Sequence, residues 1–200
     1  CVLKACGTIS AIGKGKQVHS ELLSNGLLVV NGDIVLTTAL MDMYLKCGYL
    51  SKAEKLSLEH LPVRDVTYWN TLISGYAQHD QAEEALRCFE QMQLEGVSPD
   101  VITYVFVIKA SVNVGDRRKA TEIHAEIMKK GLEKELLIGN ALIDMYAKHG
   151  LLEAAQEVFE KLPNRDVVSW NVIITAFADF GHNDHVLKCF EQIYHAGISP

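Results

Sequence analysis

The chain has 200 residues, 48% of them hydrophobic and 22% charged, which is ample material for a folded core and too much for a disordered chain. Nineteen Lys and Arg against 25 Asp and Glu leave a net charge of -6. That excludes the broadly basic footprint of a general nucleic-acid binder, although a groove can differ in local charge from the outer face. With 4 Pro and 14 Gly, strand-and-turn architectures are disfavoured, and no run approaches the ~18–20 apolar residues of a membrane span.

In chain order, a pattern of paired helices repeats. Residues 1–33 read as a partial unit, 34–65 as a short unit, 66–100 and 101–135 as long units of 35, 136–166 as a short unit of 31, and 167–200 as a further partial unit. Self-comparison sets these boundaries. Tyr68-Trp69-Asn70 recurs as Ser169-Trp170-Asn171, Cys88-Phe89-Glu90-Gln91 as Cys189-Phe190-Glu191-Gln192, and Gly96, Ser98 and Pro99 as Gly197, Ser199 and Pro200, all at a spacing of 101. Ala39-Leu40 and Asp42-Met43-Tyr44 match Ala141-Leu142 and Asp144-Met145-Tyr146 at a spacing of 102, because KLSLEHLP (55–62) carries one residue more than EVFEKLP (157–163). Leu3-Lys4-Ala5 and His19 match Ile108-Lys109-Ala110 and His124.

Within 66–100, Trp69, Leu72, Ile73 and Tyr76 fall at i, i+3, i+4, i+7, the apolar stripe of one helix. After a polar break at His79–Gln81, Ala85, Leu86, Phe89 and Met92 form a second stripe, closed by Gly96 and Pro99. In 136–166 the stripes are Ala141, Leu142, Met145 and Tyr146, then Ala155, Val158, Phe159 and Leu162, with Gly150 and Pro163 at the turns. Neither helix of a pair can bury its stripe alone. Stacking the pairs buries them all, so the expected fold class is all-α, a right-handed superhelical solenoid of helix-turn-helix repeats. Tyr44, Tyr76 and Tyr146, with Phe89, Phe159 and Phe190, are expected in the core, and Trp69 and Trp170 are expected to pack rather than to stack on bases.

Five cysteines, Cys1, Cys6, Cys47, Cys88 and Cys189, form no C-x-x-C pair and no metal-finger spacing. An odd, unpaired count suits a reducing compartment, with the thiols serving as small apolar groups. No cofactor and no metal site is expected. The pattern starts mid-unit at Cys1 and stops at Pro200, as in a segment of a longer array, so any targeting segment is expected outside it.

The phrases ALMDMYLKCGYLSKAEK, ALIDMYAKHGLLEAAQEVFEKLPNRDVVSWN and EEALRCFEQMQLEGVSPD resemble pentatricopeptide repeat proteins of land plants. The alternation of 35, 35 and 31 residues resembles their PLS subclass, with 34–65 and 136–166 as S-type, 66–100 and 167–200 as P-type, and 1–33 and 101–135 as L-type repeats. The resemblance implies sequence-selective binding of single-stranded RNA in a plastid or mitochondrion, one base per repeat, within a factor for C-to-U editing or RNA processing. It also implies contacts of L-type repeats with editing cofactor proteins. It does not imply an enzyme: the chain lacks the C-x-x-C half of the set that zinc deaminase chemistry needs.

In that family the fifth and last residues of a repeat face one base, and the second residue lies against the base plane. The matching base-reading positions are Thr38 with Asp65, Asn70 with Asp100, Val105 with Glu135, Asn140 with Asp166, and Asn171. The matching base-sandwiching positions are Val35, Thr67, Ile102, Leu137 and Val168. An Asn amide carries a donor and an acceptor for a pyrimidine edge, a Thr hydroxyl can do either, and Val105 can do neither. By family analogy the register is 5′-G-U-N-Y. Lys46 and Lys148, each thirteenth in a short unit, match phosphate-contacting lysines, but Gln78, Asn113 and Asp179 stand there in the other units. Salt dependence should therefore be shallow. The alternative function is a protein-binding scaffold of helical repeats, with no membrane contact, and exposed end repeats could self-associate.

Overall fold

The structure, a computed structural model, describes residues 2–28, 34–60 and 64–195. Cys1, Gly197, Ser199, Pro200 and residues 61–63 of the first short unit lie outside the described residues. Twelve helices and no strand occur among the described residues. They are α1 (Val2–Thr8), α2 (Ile12–Ser24), α3 (Ile34–Lys46), α4 (Leu50–His60), α5 (Val66–Gln78), α6 (Ala82–Leu94), α7 (Val101–Val114), α8 (Arg117–Lys129), α9 (Leu136–Lys148), α10 (Leu152–Lys161), α11 (Val167–Asp179) and α12 (Asn183–His195). Two helices fall in each stretch delimited by the repeat spacing.

Local chemistry explains the starts and stops. Asp65, Asp116 and Asp166 each sit at a helix N-cap and accept backbone N–H donations, from Tyr68, from Arg118 and Lys119, and from Ser169. Each pair turns through one left-handed residue: Gly48 at φ 79° and Gly150 at φ 71°, but Asp80 at φ 56° between α5 and α6. Only glycine adopts that region without a steric cost, which is why the pattern places glycine at most of these turns.

The chain divides into two compact units, residues 1–106 and 107–200. In the first, α3 packs against α1, α4 and α5. Its core is built from Leu40, Met41, Met43, Tyr44, Leu45 and Ile73, all fully buried. Two polar pairs are taken inside: His19 Nδ1 lies 2.8 Å from the Tyr44 hydroxyl and Ser57 Oγ 3.2 Å from that of Tyr68. In the second, α9 packs against α10 and α11, and Ile138, Leu142, Ile143, Met145 and Ile173 form the core.

The aromatic expectations resolve unequally. Trp69 and Trp170 are buried and meet Tyr68 and Phe159 edge-on at 5.0 and 4.8 Å between ring centroids. Phe89 is buried against Tyr104 of the following helix pair, 5.9 Å away. Phe190, its counterpart in the repeat pattern, is 51% exposed. The expectation that Phe190 belongs to the core is corrected: a second-helix aromatic is buried by the pair that follows it, and no helix beyond α12 covers Phe190 among the described residues. Cys189 beside it is the buried residue.

Candidate functional site

The second residues of the units stand on the first turn of α3, α5, α7, α9 and α11. Val35, Thr67, Ile102, Leu137 and Val168 are all exposed there. Apolar groups left in water at matched places are a pattern that core packing alone does not produce.

The fifth residues follow one turn on. In the first unit, Asn70 Nδ2 donates to Asp100 Oδ1 at 3.1 Å. Asp100 also accepts from the backbone N–H of Thr103 at 2.8 Å. Burial alone would raise the Asp100 carboxyl, but the donations from the Thr103 backbone, the Asn70 amide, the Thr103 hydroxyl and the Ile102 backbone outweigh it and hold the group below its ordinary value. In the second unit, Asn140 Nδ2 donates to Asp166 Oδ1 at 3.4 Å. The backbone N–H of Ser169 is the chief influence on Asp166. It acts with the Ser169 hydroxyl and the Asn140 amide, and against a burial effect, to lower the carboxyl. Each of these carboxylates thus does two jobs: it caps a helix and it grips an asparagine amide of the preceding helix pair.

Two open clefts of about 460 Å³ each gather further candidates. The cleft in the first unit is lined by Val35, Thr38, Lys46, Asp65 and Thr67, together with Lys4, Asp42 and Thr71. Thr38 Oγ1 is buried without a hydrogen-bond partner. The cleft in the second unit is lined by Lys148, Val168 and Asn171, together with Asp144, Thr175, Asp179 and Phe180. Val105 is half-buried, and Glu135, at the N-cap of α9, makes no side-chain cap bond.

Lys46 and Lys148 are placed in these clefts but are not free charges. Lys46 Nζ lies 2.8 Å from Asp42 and Lys148 Nζ 2.7 Å from Asp144, one helical turn away in each case. The motif Asp-x-x-x-Lys was visible in the sequence as the usual i, i+4 pair, while Thr71, Thr175 and Phe180 are cleft residues that sequence reasoning did not single out.

Among the described residues, no group of three or more His, Cys, Asp or Glu is placed to hold a metal. The triplets His19-Ser20-Glu21 and His124-Ala125-Glu126 have the H-x-E spelling, yet both imidazoles are engaged through Nδ1 with tyrosine hydroxyls, Tyr44 at 2.8 Å and Tyr146 at 2.6 Å. Cys6, Cys47, Cys88 and Cys189 are free thiols, and burial pushes Cys88 up to about 12, which disfavours its thiolate. No helix among the described residues is long and apolar enough to cross a membrane.

Comparison with known proteins gives concordant results. Family models match at 64–113 (PPR repeat family), at 89–149 (pentatricopeptide repeat domain), and at 35–56, 140–167 and 168–198 (PPR repeat). An Arabidopsis thaliana pentatricopeptide repeat-containing protein is 40% identical over 199 residues, covering 100% of this chain and 27% of the relative. Two others from that plant, one named as mitochondrial and one as chloroplastic, are 37% and 34% identical over 201 and 199 residues, covering 100% of this chain and 31% and 28% of their own lengths. The chain therefore spans under a third of these relatives. Among solved structures, the pentatricopeptide repeat protein PPR10 in complex with an 18-nt psaJ RNA element superposes with a TM-score of 0.76 at 18% identity, over 99% of this chain and 29% of that one. The PPR domain of Arabidopsis thaliana protein-only RNase P 1, in complex with tRNA, gives 0.64 at 17% identity, over 83% and 91%. These likenesses show the all-α helical-repeat solenoid as the fold class.

Proposed function

Because this chain belongs to the pentatricopeptide repeat family, we propose that it binds single-stranded RNA with base selectivity, one base per repeat. The observation that carries the proposal is the coupling of a fifth-residue amide to a repeat-terminal carboxylate, Asn70 to Asp100 and Asn140 to Asp166. An amide so held keeps one N–H for a pyrimidine edge, and at Asn70 one carbonyl lone pair besides. Exposed Val35, Ile102, Leu137 and Val168 supply surfaces for base planes.

The repeats are read as L, S, P, L, S and P across 1–33, 34–65, 66–100, 101–135, 136–166 and 167–200, in the manner of the PLS subclass. The register is 5′-G-U-N-Y, with Thr38/Asp65 on G, Asn70/Asp100 on U, Val105/Glu135 without preference and Asn140/Asp166 on a pyrimidine. The complexes of PPR10 with psaJ RNA and of protein-only RNase P 1 with tRNA support RNA as the ligand class. The relatives named as mitochondrial and chloroplastic support an organellar setting. Within it the chain serves an editing or processing specificity factor, with L-type repeats meeting cofactor proteins.

Fluorescence anisotropy with 5′-GUNY placed inside a longer RNA, beside a scrambled control, tests the reading. Weaker binding when that G is replaced by A is expected, and equal binding to all sequences removes it. A protein-binding scaffold is the second reading, favoured by the pairing of Lys46 and Lys148 with carboxylates. Self-association through α12 belongs to this second reading: Leu187, Phe190 and Tyr194 expose 63, 51 and 85% of their surface along one helix face. Sedimentation over a range of concentrations checks it.

A further inference from the structure

We infer that Thr103, the third residue of the repeat that follows, is a positioning residue that locks the Asn70 amide and so sets how sharply its base is discriminated. This rests on the base-reading proposal above. Thr103 is fully buried. Its hydroxyl oxygen accepts the Asp100 backbone N–H at 3.1 Å, and its proton can go to Asn70 Oδ1 at 2.6 Å or Asp100 Oδ1 at 2.9 Å. The shorter contact is to Asn70. With Asp100 accepting from Nδ2, both ends of the amide are then engaged.

Flipping that amide would set its carbonyl oxygen against the Asp100 carboxylate and break both bonds. Asn70 therefore offers its remaining donor and acceptor in one fixed order. Uracil and cytosine present opposite orders over adjacent positions of their pairing edges: carbonyl then N–H in one, amine then bare nitrogen in the other. A fixed amide separates them, and an amide free to flip serves both.

Asn140 shows the contrast. The corresponding third residue is Ser169, also buried, and its hydroxyl is spent within the cap, donating to Asp166 Oδ1 at 2.9 Å and accepting from the Asp166 backbone at 3.3 Å. Asn140 Oδ1 is left buried and without a partner, and its amide has one long bond to Asp166 at 3.4 Å. Asn70 is the stringent reader and Asn140 the permissive one, and the difference lies in a residue that touches no base.

The test uses the full chain and labelled RNAs that differ only in U or C at the second base of 5′-G-U-N-Y. Thr103→Val, which keeps the shape and removes the hydroxyl, is expected to lower the U-over-C affinity ratio by roughly three- to tenfold, the net value of one hydrogen bond. Thr103→Ser is expected to retain the ratio, and the ratio at the fourth base is expected to stay unchanged in both. A general loss of folding would move both positions together. If Asn70→Ala collapses the ratio and Thr103→Val leaves it intact, this inference is overturned and base reading stands. If Asn70→Ala has no effect, base reading fails and takes this inference with it. In the unsubstituted chain, NMR relaxation of the side-chain amides gives a check that needs no variant. A higher order parameter for Asn70 than for Asn140 is expected, and equal values would count against the lock.

Discussion

Gly75 lies inside α5, where glycine ordinarily costs helix stability. A Cβ built there would come within 2.9 Å of Leu45 Cβ and within 2.8 Å of its Cδ1. The methyl ends can swing, but Leu45 Cβ is fixed to the α3 backbone. Gly75→Ala is therefore expected to destabilise by about 1–3 kcal/mol despite the gain in helix propensity. Gly13→Ala, with nothing within 4 Å, is expected to be neutral or stabilising. Urea unfolding monitored by circular dichroism separates the two.

Two imidazoles, His19 and the half-buried His124, give a pH signature. Burial is the main reason His19 and His124 fall below 6.5, reinforced by Lys52 and His60 around the first and by Lys161 around the second, with Glu59 and Glu133 opposing. The unfolded chain thus takes up these protons at a higher pH than the folded one. Stability is intact above about pH 6.5 and falls as the pH drops below it. Thermal midpoints are expected to decline from pH 7 to pH 5.5, and less steeply in the His19→Gln/His124→Gln double variant.

At the scale of elements, Asp166 links helix initiation to recognition. It caps α11 through Ser169 in a reciprocal box and grips Asn140. Asp166→Ala is expected to cost about 1 kcal/mol through the cap, while Asp166→Asn should cost a few tenths because asparagine caps equally well. Both remove the carboxylate from Asn140, so both should weaken selectivity at the fourth base. Chemical denaturation and the anisotropy assay together distinguish the two effects.

The elements themselves were open to inspection in the sequence. The stripe Trp69, Leu72, Ile73, Tyr76 is buried as its spacing requires, and Gly48 and Gly150 turn the chain where glycine recurs. Phe190 was misread because helical spacing reports which face is apolar, not whether a neighbour covers it. Thr103 went unnoticed for a related reason. A threonine three residues past an aspartate reads as a helix cap, and its second partner, Asn70, lies 33 positions away.

For the molecule as a whole, charge decides how RNA would be held. The net charge is -6, and Lys46 and Lys148 are each paired with a carboxylate on their own helix. Few counterions would be released on binding, and with about two phosphate contacts the log–log salt slope should be near −1.5 or shallower. Asp42→Asn with Asp144→Asn frees both ammonium groups. Affinity is expected to rise about two- to fivefold, with a steeper slope, because solvent-accessible pairs of this kind are worth at most about 1 kcal/mol. Titrations at several salt concentrations read both quantities.

The amino-acid order by itself determined the helix pairs, their turns and the apolar faces they bury, because these follow from local periodicity and from backbone constraints at glycine and aspartate. Tertiary structure alone decided which asparagine is clamped at both ends and which aromatic is left in water. Those outcomes depend on distances between side chains of different helix turns and different helices, and such distances exist only once the stripes have packed.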